Sequence, residues 1–232
     1  MAGAGDRPFD WRPVWLTLRL AAAATGALLL LGTPLACWLS RSRARWRHVV
    51  AALVAMPLVL PPTVLGFYLL VLLSPSGPLG AAWSAATGGA TGLVFSFTGL
   101  LIGSVIYSLP FVVQPLRSAF ESLGRRPLEV AATLGAGPID RFVRVVVPMA
   151  APGFVTAATL GFAHTLGEFG VVLMIGGNVP GRTQVLSIAL FDHVEALEYG
   201  RAHVLAAILL AVSFTTLWLV YTLHGRRAEV RP

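Results

Sequence analysis

The chain has 232 residues, 56% of them hydrophobic and only 12% charged, with a net charge of +7. A soluble domain usually carries about twice that share of charge, so the composition argues against a water-soluble globular protein and points to lipid as the surrounding medium. All 17 basic residues are arginine. Without a lysine there is no P-loop to reach nucleotide phosphates, and the scatter of the arginines in short clusters between apolar runs argues against nucleic acid as a partner.

Five apolar segments predict an all-α polytopic membrane protein with about five transmembrane helices. Each is long enough for the roughly 20 residues that a span requires. Residues 1–13 form an N-terminal segment in which Asp6 and Asp10 stand where a cleavable leader would be basic, so the first apolar run is expected to remain as a span. That run covers residues 14–39 and holds the only cysteine, Cys37, which reads as a packing residue. Lipidation is the alternative for Cys37, but Leu35 is one position out of place for a lipoprotein cleavage site. The other segments are 49–73, 93–116, 148–176 and 203–223. The transmembrane domain is thus 14–223, with a long loop at 117–147 and a tail at 224–232.

The arginines orient these spans. Arg41, Arg43, Arg45 and Arg47 follow the first segment, five more lie in the 117–147 loop, and Arg226, Arg227 and Arg231 lie in the tail. Loop 74–92 carries no charge. Basic loops mark the cytoplasmic side, which places the N-terminus outside and the C-terminus inside. Prolines are frequent within the spans: Pro57, Pro61 and Pro62 in the second, Pro110 and Pro115 in the third. They fit either broken helices along a pathway or simple kinks, because a membrane helix tolerates proline where neighbours satisfy the freed carbonyl.

The stretch Pro127-Leu128-Glu129-Val130-Ala131-Ala132-Thr133-Leu134-Gly135-Ala136-Gly137-Pro138 predicts a short helix in the long loop. Pro127 suits its first turn, Glu129 lies near the positive end of its dipole, and Gly135 is its stop. The small face made by Ala131 and Ala132 fits a groove in a soluble partner or a helix lying on headgroups. The residues alone leave both open.

This stretch resembles the coupling loop of ABC-importer permeases, with Glu129, Ala131, Gly135 and Pro148 in register, Val130 in place of an alanine, and Val145 and Val147 in place of isoleucine and leucine. Leu60-Pro61-Pro62-Thr63-Val64-Leu65-Gly66, Gly167-Glu168-Phe169-Gly170 and Gly176-Gly177-Asn178-Val179-Pro180-Gly181-Arg182-Thr183 are similar to segments of the molybdate and sulfate permeases. The resemblance implies a type I ABC-importer permease in a bacterial inner membrane. It implies that two copies enclose an oxyanion path, molybdate with sulfate or tungstate as the alternative. It also implies partners: ATPase subunits that carry ATP and magnesium and dock at Glu129, Ala131, Ala132 and Gly135, and an external molybdate-binding protein. The chain itself is expected to be no enzyme and to hold no cofactor or metal.

Glu168 is the acidic residue deepest within an apolar segment, where a carboxylate costs about 2.5–3.5 kcal/mol or more. His164 lies four residues earlier, on the same face of a helix. The expectation is a structural lock in which Glu168 pairs with His164 or accepts backbone N–H groups, with a gate element as the alternative. Pro61, Pro62 and Thr63 join them as pathway candidates. A proton-coupled carrier would need intramembrane carboxylates in series, and only Glu168 is available.

Overall fold

A computed structural model of the chain describes residues 10–89 and 92–228; most of the expected N-terminal segment and the last four residues of the tail lie outside them. The described residues form helices and no strand. In chain order these are α1 (Arg12–Arg41), α2 (Arg47–Ala55) with a 3-10 turn (Met56–Leu58), α3 (Pro62–Leu73), α4 (Pro78–Thr87) and α5 (Phe97–Ser122). Next come α6 (Arg126–Thr133), α7 (Pro138–Arg141), a π turn (Phe142–Val146), α8 (Val147–Met149) and α9 (Ala151–Leu166). The last three are α10 (Gly170–Gly176), α11 (Leu186–Glu195) and α12 (Tyr199–Ala228).

Three helices are long and apolar enough to cross a membrane: α1, α5 and α12, the last over Tyr199–Trp218. Two bent helix pairs raise the number to five where each pair counts as one broken span. Arg47–Leu58 and Pro62–Leu73 meet at 111°, and Pro138–Met149 and Ala151–Leu166 meet at 73°. The tandem prolines explain the first bend. Each proline disfavours the helical conformation in the residue before it, and Pro61 itself is extended, with ψ 133°. Pro110 and Pro115 behave differently, because α5 runs unbroken through both.

The core is a bundle of α1, α5 and α9. The buried positions of α1, including Thr17, Leu20, Ala21, Ala24, Leu28, Gly32, Ala36 and Leu39, recur every three or four residues and so form one stripe. Leu28, Val112, Val113, Leu116 and Ala157 pack together beneath it. Small residues bring the backbones close, as expected where lipid removes the hydrophobic drive between helices. A Cβ on Gly161 would meet Val112 at 2.7 Å. Many large apolar side chains remain exposed, among them Phe67 and Tyr68 on α3 and Leu210 and Phe214 on α12.

Four boundaries depart from the sequence expectation. The uncharged loop 74–92 contains α4. The third span continues to Ser122, so Arg117 belongs to α5, where it pairs with Glu121 at 2.8 Å. The expected helix 148–176 ends at Leu166 and restarts at Gly170 as α10. The last helix, α12, continues over residues 224–228 of the expected tail.

The connection from α10 to α11 is tightly held. Asp192 accepts hydrogen bonds from Asn178 Nδ2 at 2.9 and 2.8 Å and from Gln184 Nε2 at 2.8 Å. Thr17 Oγ1 on α1 accepts from the Leu186 backbone N–H at 2.7 Å, which ties this connection to the first span.

Candidate functional site

The two interruptions at Pro61–Pro62 and at Gly167–Phe169 meet in space. Pro62 opens α3 without an N–H to leave unsatisfied. At the other interruption, Gly167 N–H donates to the Ala163 carbonyl at 3.3 Å and Glu168 N–H to the Thr165 carbonyl at 3.4 Å. α10 then begins at Gly170, and a Cβ there would lie 2.9 Å from Pro62 Cβ. Only glycine allows this approach.

A cavity of about 530 Å³ opens at this junction, lined by Pro62, Thr63, Tyr107, His164, Glu168 and Met174 among others, and by no arginine. Four of the five pathway candidates therefore share one cavity. Pro61 does not line it and acts as the N-cap of α3.

The expected His164–Glu168 pair does not form. α9 ends before Glu168, so the four-residue spacing no longer holds both side chains on one helical face. Instead His164 Nδ1 is 2.8 Å from Ser108 Oγ. Its ring stacks on Phe111 at 3.9 Å between centroids and lies 4.7 Å from Tyr107. Ser108 Oγ also lies 3.1 Å from Thr165 Oγ1. His164 is thus joined to α5.

Glu168 is 4% exposed. Its backbone carbonyl accepts from Ser187 Oγ at 2.6 Å; its carboxylate faces the buried Ser104 hydroxyl, but neither carboxylate oxygen nor Ser104 Oγ has a partner in hydrogen-bond geometry. The expectation that Glu168 accepts backbone N–H groups is corrected accordingly. A buried, unpartnered carboxylate is costly, so its presence is not explained by packing. No group of three or more His, Cys, Asp or Glu capable of holding a metal occurs among the described residues.

Tyr107, Ser108 and Phe111 were not singled out from the sequence. Their signal is a spacing: 104, 107, 108 and 111 recur at three and four residues and so share one face of α5, from which Tyr107 reaches the cavity.

The second candidate region is α6. Glu129 lies in its first turn and is exposed. Its C-terminus is closed by a pair of bonds, Gly135 N–H to the Ala132 carbonyl at 3.0 Å and Ala136 N–H to the Ala131 carbonyl at 3.0 Å. This pattern needs a left-handed residue at the position of Gly135, whose φ is +82°. Pro148 stands apart from this group, in α8 at the 73° bend. α6 buries no residue, and the apolar side chains Val130, Leu134 and Ile139 are 59%, 82% and 80% exposed beside it.

Spans with two proline- and glycine-marked breaks, and an exposed capped helix between the third and fourth, define a polytopic membrane transport component. The chain belongs to the family of binding-protein-dependent transport system inner membrane components, whose model matches residues 29–229. It is 57% identical to the molybdenum transport system permease protein ModB of Azotobacter vinelandii, over 92% of this chain and 93% of that one. It is 34% identical to the sulfate transport system permease protein CysT of Escherichia coli, over 84% of this chain and 69% of that one. Among solved structures, the MetNI methionine ABC transporter in inward-facing conformations matches with a TM-score of 0.71 at 20% identity, covering 95% of both chains. A bacterial alginate ABC transporter matches at 0.73 with 16% identity, over 93% of this chain and 78% of that one. These two likenesses concern the fold.

Proposed function

We propose that the chain is the permease subunit of an ATP-driven importer that carries molybdate across the bacterial cytoplasmic membrane. The observation that carries this reading is the 57% identity with the molybdenum permease over nearly the full length of both chains. The sulfate permease supports a second reading, sulfate, but it is matched over only 69% of its length.

Two copies face each other, and the path runs past the cavity at the Pro62–Gly170 junction. Thr63, Tyr107 and His164 offer polar groups there, beside Glu168, which lines the same cavity but is almost fully buried. Contacts of this strength suit a conduit, where an ion must be held loosely enough to leave. The N-terminus lies outside and the C-terminus inside, in keeping with 12 of 17 arginines falling on one side.

Soluble ATPase subunits bind at α6 and carry ATP and magnesium; an external binding protein delivers the oxyanion. Exposed Val130, Leu134 and Ile139 at an arginine-rich end suit a protein partner. ATP acts through differential affinity of those subunits for inward-open and outward-open states. This chain performs no covalent chemistry.

The test is uptake into proteoliposomes holding the chain with its ATPase and binding protein. ATP-dependent entry of labelled molybdate, competed by tungstate and poorly by sulfate, is expected. Preferred entry of sulfate supports the second reading. Uptake driven by a pH gradient without ATP would overturn both.

A further inference from the structure

At the C-terminal end of α1 two cavities adjoin. One, of about 420 Å³, lies between the ends of α1 and α5 and the inner face of α6, and is lined by Arg41, Arg125 and Arg141 together with Ser40, Leu128 and Ala132. The other, of about 590 Å³, is an apolar trough along α1 formed by Pro34, Cys37, Trp38 and Phe142. Arg41 lines both, and Arg141 in the first is next in sequence to Phe142 in the second. The two therefore adjoin at Arg41 and together make a recess that is polar at the end of the span and apolar along it.

Its charge selects an anion. Arg41, Arg125 and Arg141 take part in none of the ion pairs among the described residues. Two carboxylates also line the polar cavity, Glu121 and Glu129. Glu121 is already paired with Arg117 at 2.8 Å, which leaves three arginines against Glu129. Guanidinium groups match phosphate oxygens in geometry as well as charge. The apolar trough selects a hydrocarbon chain, because it opens along a membrane-crossing helix.

We propose that this recess is a binding site for an anionic phospholipid, with the phosphate on Arg41, Arg125 and Arg141 and an acyl chain in the trough beside Cys37 and Trp38. Basic pockets between membrane helices take anionic headgroups on the same grounds. The site has a mechanical consequence. α6 reaches the core only through the partly buried Leu128, so a seated headgroup fills the rest of the joint between α6 and the spans.

The test uses the full-length chain in neutral detergent, with native mass spectrometry and maleimide labelling of Cys37. Dioleoyl phosphatidylglycerol is expected to bind about tenfold or more tighter than dioleoyl phosphatidylcholine and to slow labelling of Cys37. Arg41→Gln with Arg125→Gln should bring the two lipids level, while Arg41→Lys with Arg125→Lys should keep the preference. Equal binding of the two lipids, or unchanged labelling of Cys37 with phosphatidylglycerol bound, overturns the proposal. So does inorganic phosphate that binds alone and displaces the lipid, since the recess would then be a site for free anions.

Discussion

Gly170 and Pro62 come together where two interrupted spans touch, and a Cβ on the glycine would sit 2.9 Å from the proline Cβ. Neither side can yield easily, because Pro62 is a rigid ring at the first turn of α3 and Gly170 is the first residue of α10. Gly170→Val is expected to lower thermal stability by about 1–3 kcal/mol, the usual range for overpacking, and to depress transport. Gly26→Ala is the control: nothing lies within 4 Å of the position a Cβ would take there, and alanine favours a helix interior by roughly 0.5–1 kcal/mol. Equal melting temperatures for Gly170→Val and the parent would show that the junction is loose.

Glu168 gives the second prediction. A carboxylate that makes no ion pair and faces only the Ser104 hydroxyl, outside hydrogen-bond geometry, holds helices together weakly, so an apolar residue of similar volume should be tolerated structurally. Glu168→Leu is expected to reach the membrane at parental levels with an unchanged or higher melting temperature, and to transport poorly. Glu168→Gln, nearly the same shape, should fold equally well. Loss of folded protein in both variants would restore the lock that the sequence had suggested.

His164 is the residue that does join two helices. His164→Phe keeps the stack on Phe111 and loses the bond to Ser108, which should cost about 0.5–1.5 kcal/mol. His164→Ala removes both and should cost more. A scan of thermal unfolding in detergent, with Ser108→Ala as partner in a double-mutant cycle, measures the coupling. A coupling near zero would remove the α5–α9 link.

Much of the architecture was legible in the residues. The apolar runs located the three long spans and the two bent helix pairs, and of the two readings open for the tandem Pro61–Pro62 the fold shows the break. Gly135 was legible because a left-handed helix stop leaves few other choices of residue. What escaped were features set by contacts between distant segments. The end of α9 at Leu166 is marked locally only by Gly167 and Gly170, glycines that do not stand out within an apolar run. The four-residue spacing of His164 and Glu168 promised a pair only while the helix continued. Tyr107, Ser108 and Phe111 passed unnoticed because hydroxyl and aromatic residues are ordinary in an apolar span.

Gly135 and Glu129 carry the prediction on coupling. A side chain at φ +82° strains the backbone by roughly 1–2 kcal/mol, so Gly135→Val should loosen the end of α6. Both Gly135→Val and Glu129→Ala lie outside the spans and should leave insertion intact. Copurification of the ATPase and transport should both fall. Parental values of both would remove α6 from the coupling path.

Orientation is checked by reporter fusions after Arg47 and after Gly89. The arginine bias predicts opposite sides, with Arg47 inside. Reporters on the same side would change the number of crossings between them.

The bond from the Leu186 N–H to Thr17 Oγ1 also has a meaning for how the chain is made. Synthesis runs from the N-terminus, so α1 is complete long before residue 186 exists. In the interval the Thr17 hydroxyl already has a companion in the Pro13 carbonyl, 2.7 Å away, and α1 can rest in lipid without an orphaned polar group. The arriving amide then uses the lone pair that this arrangement leaves free. The first helix is therefore a template with a reserved berth, and the connection between α10 and α11 closes onto it only once residue 186 has been made.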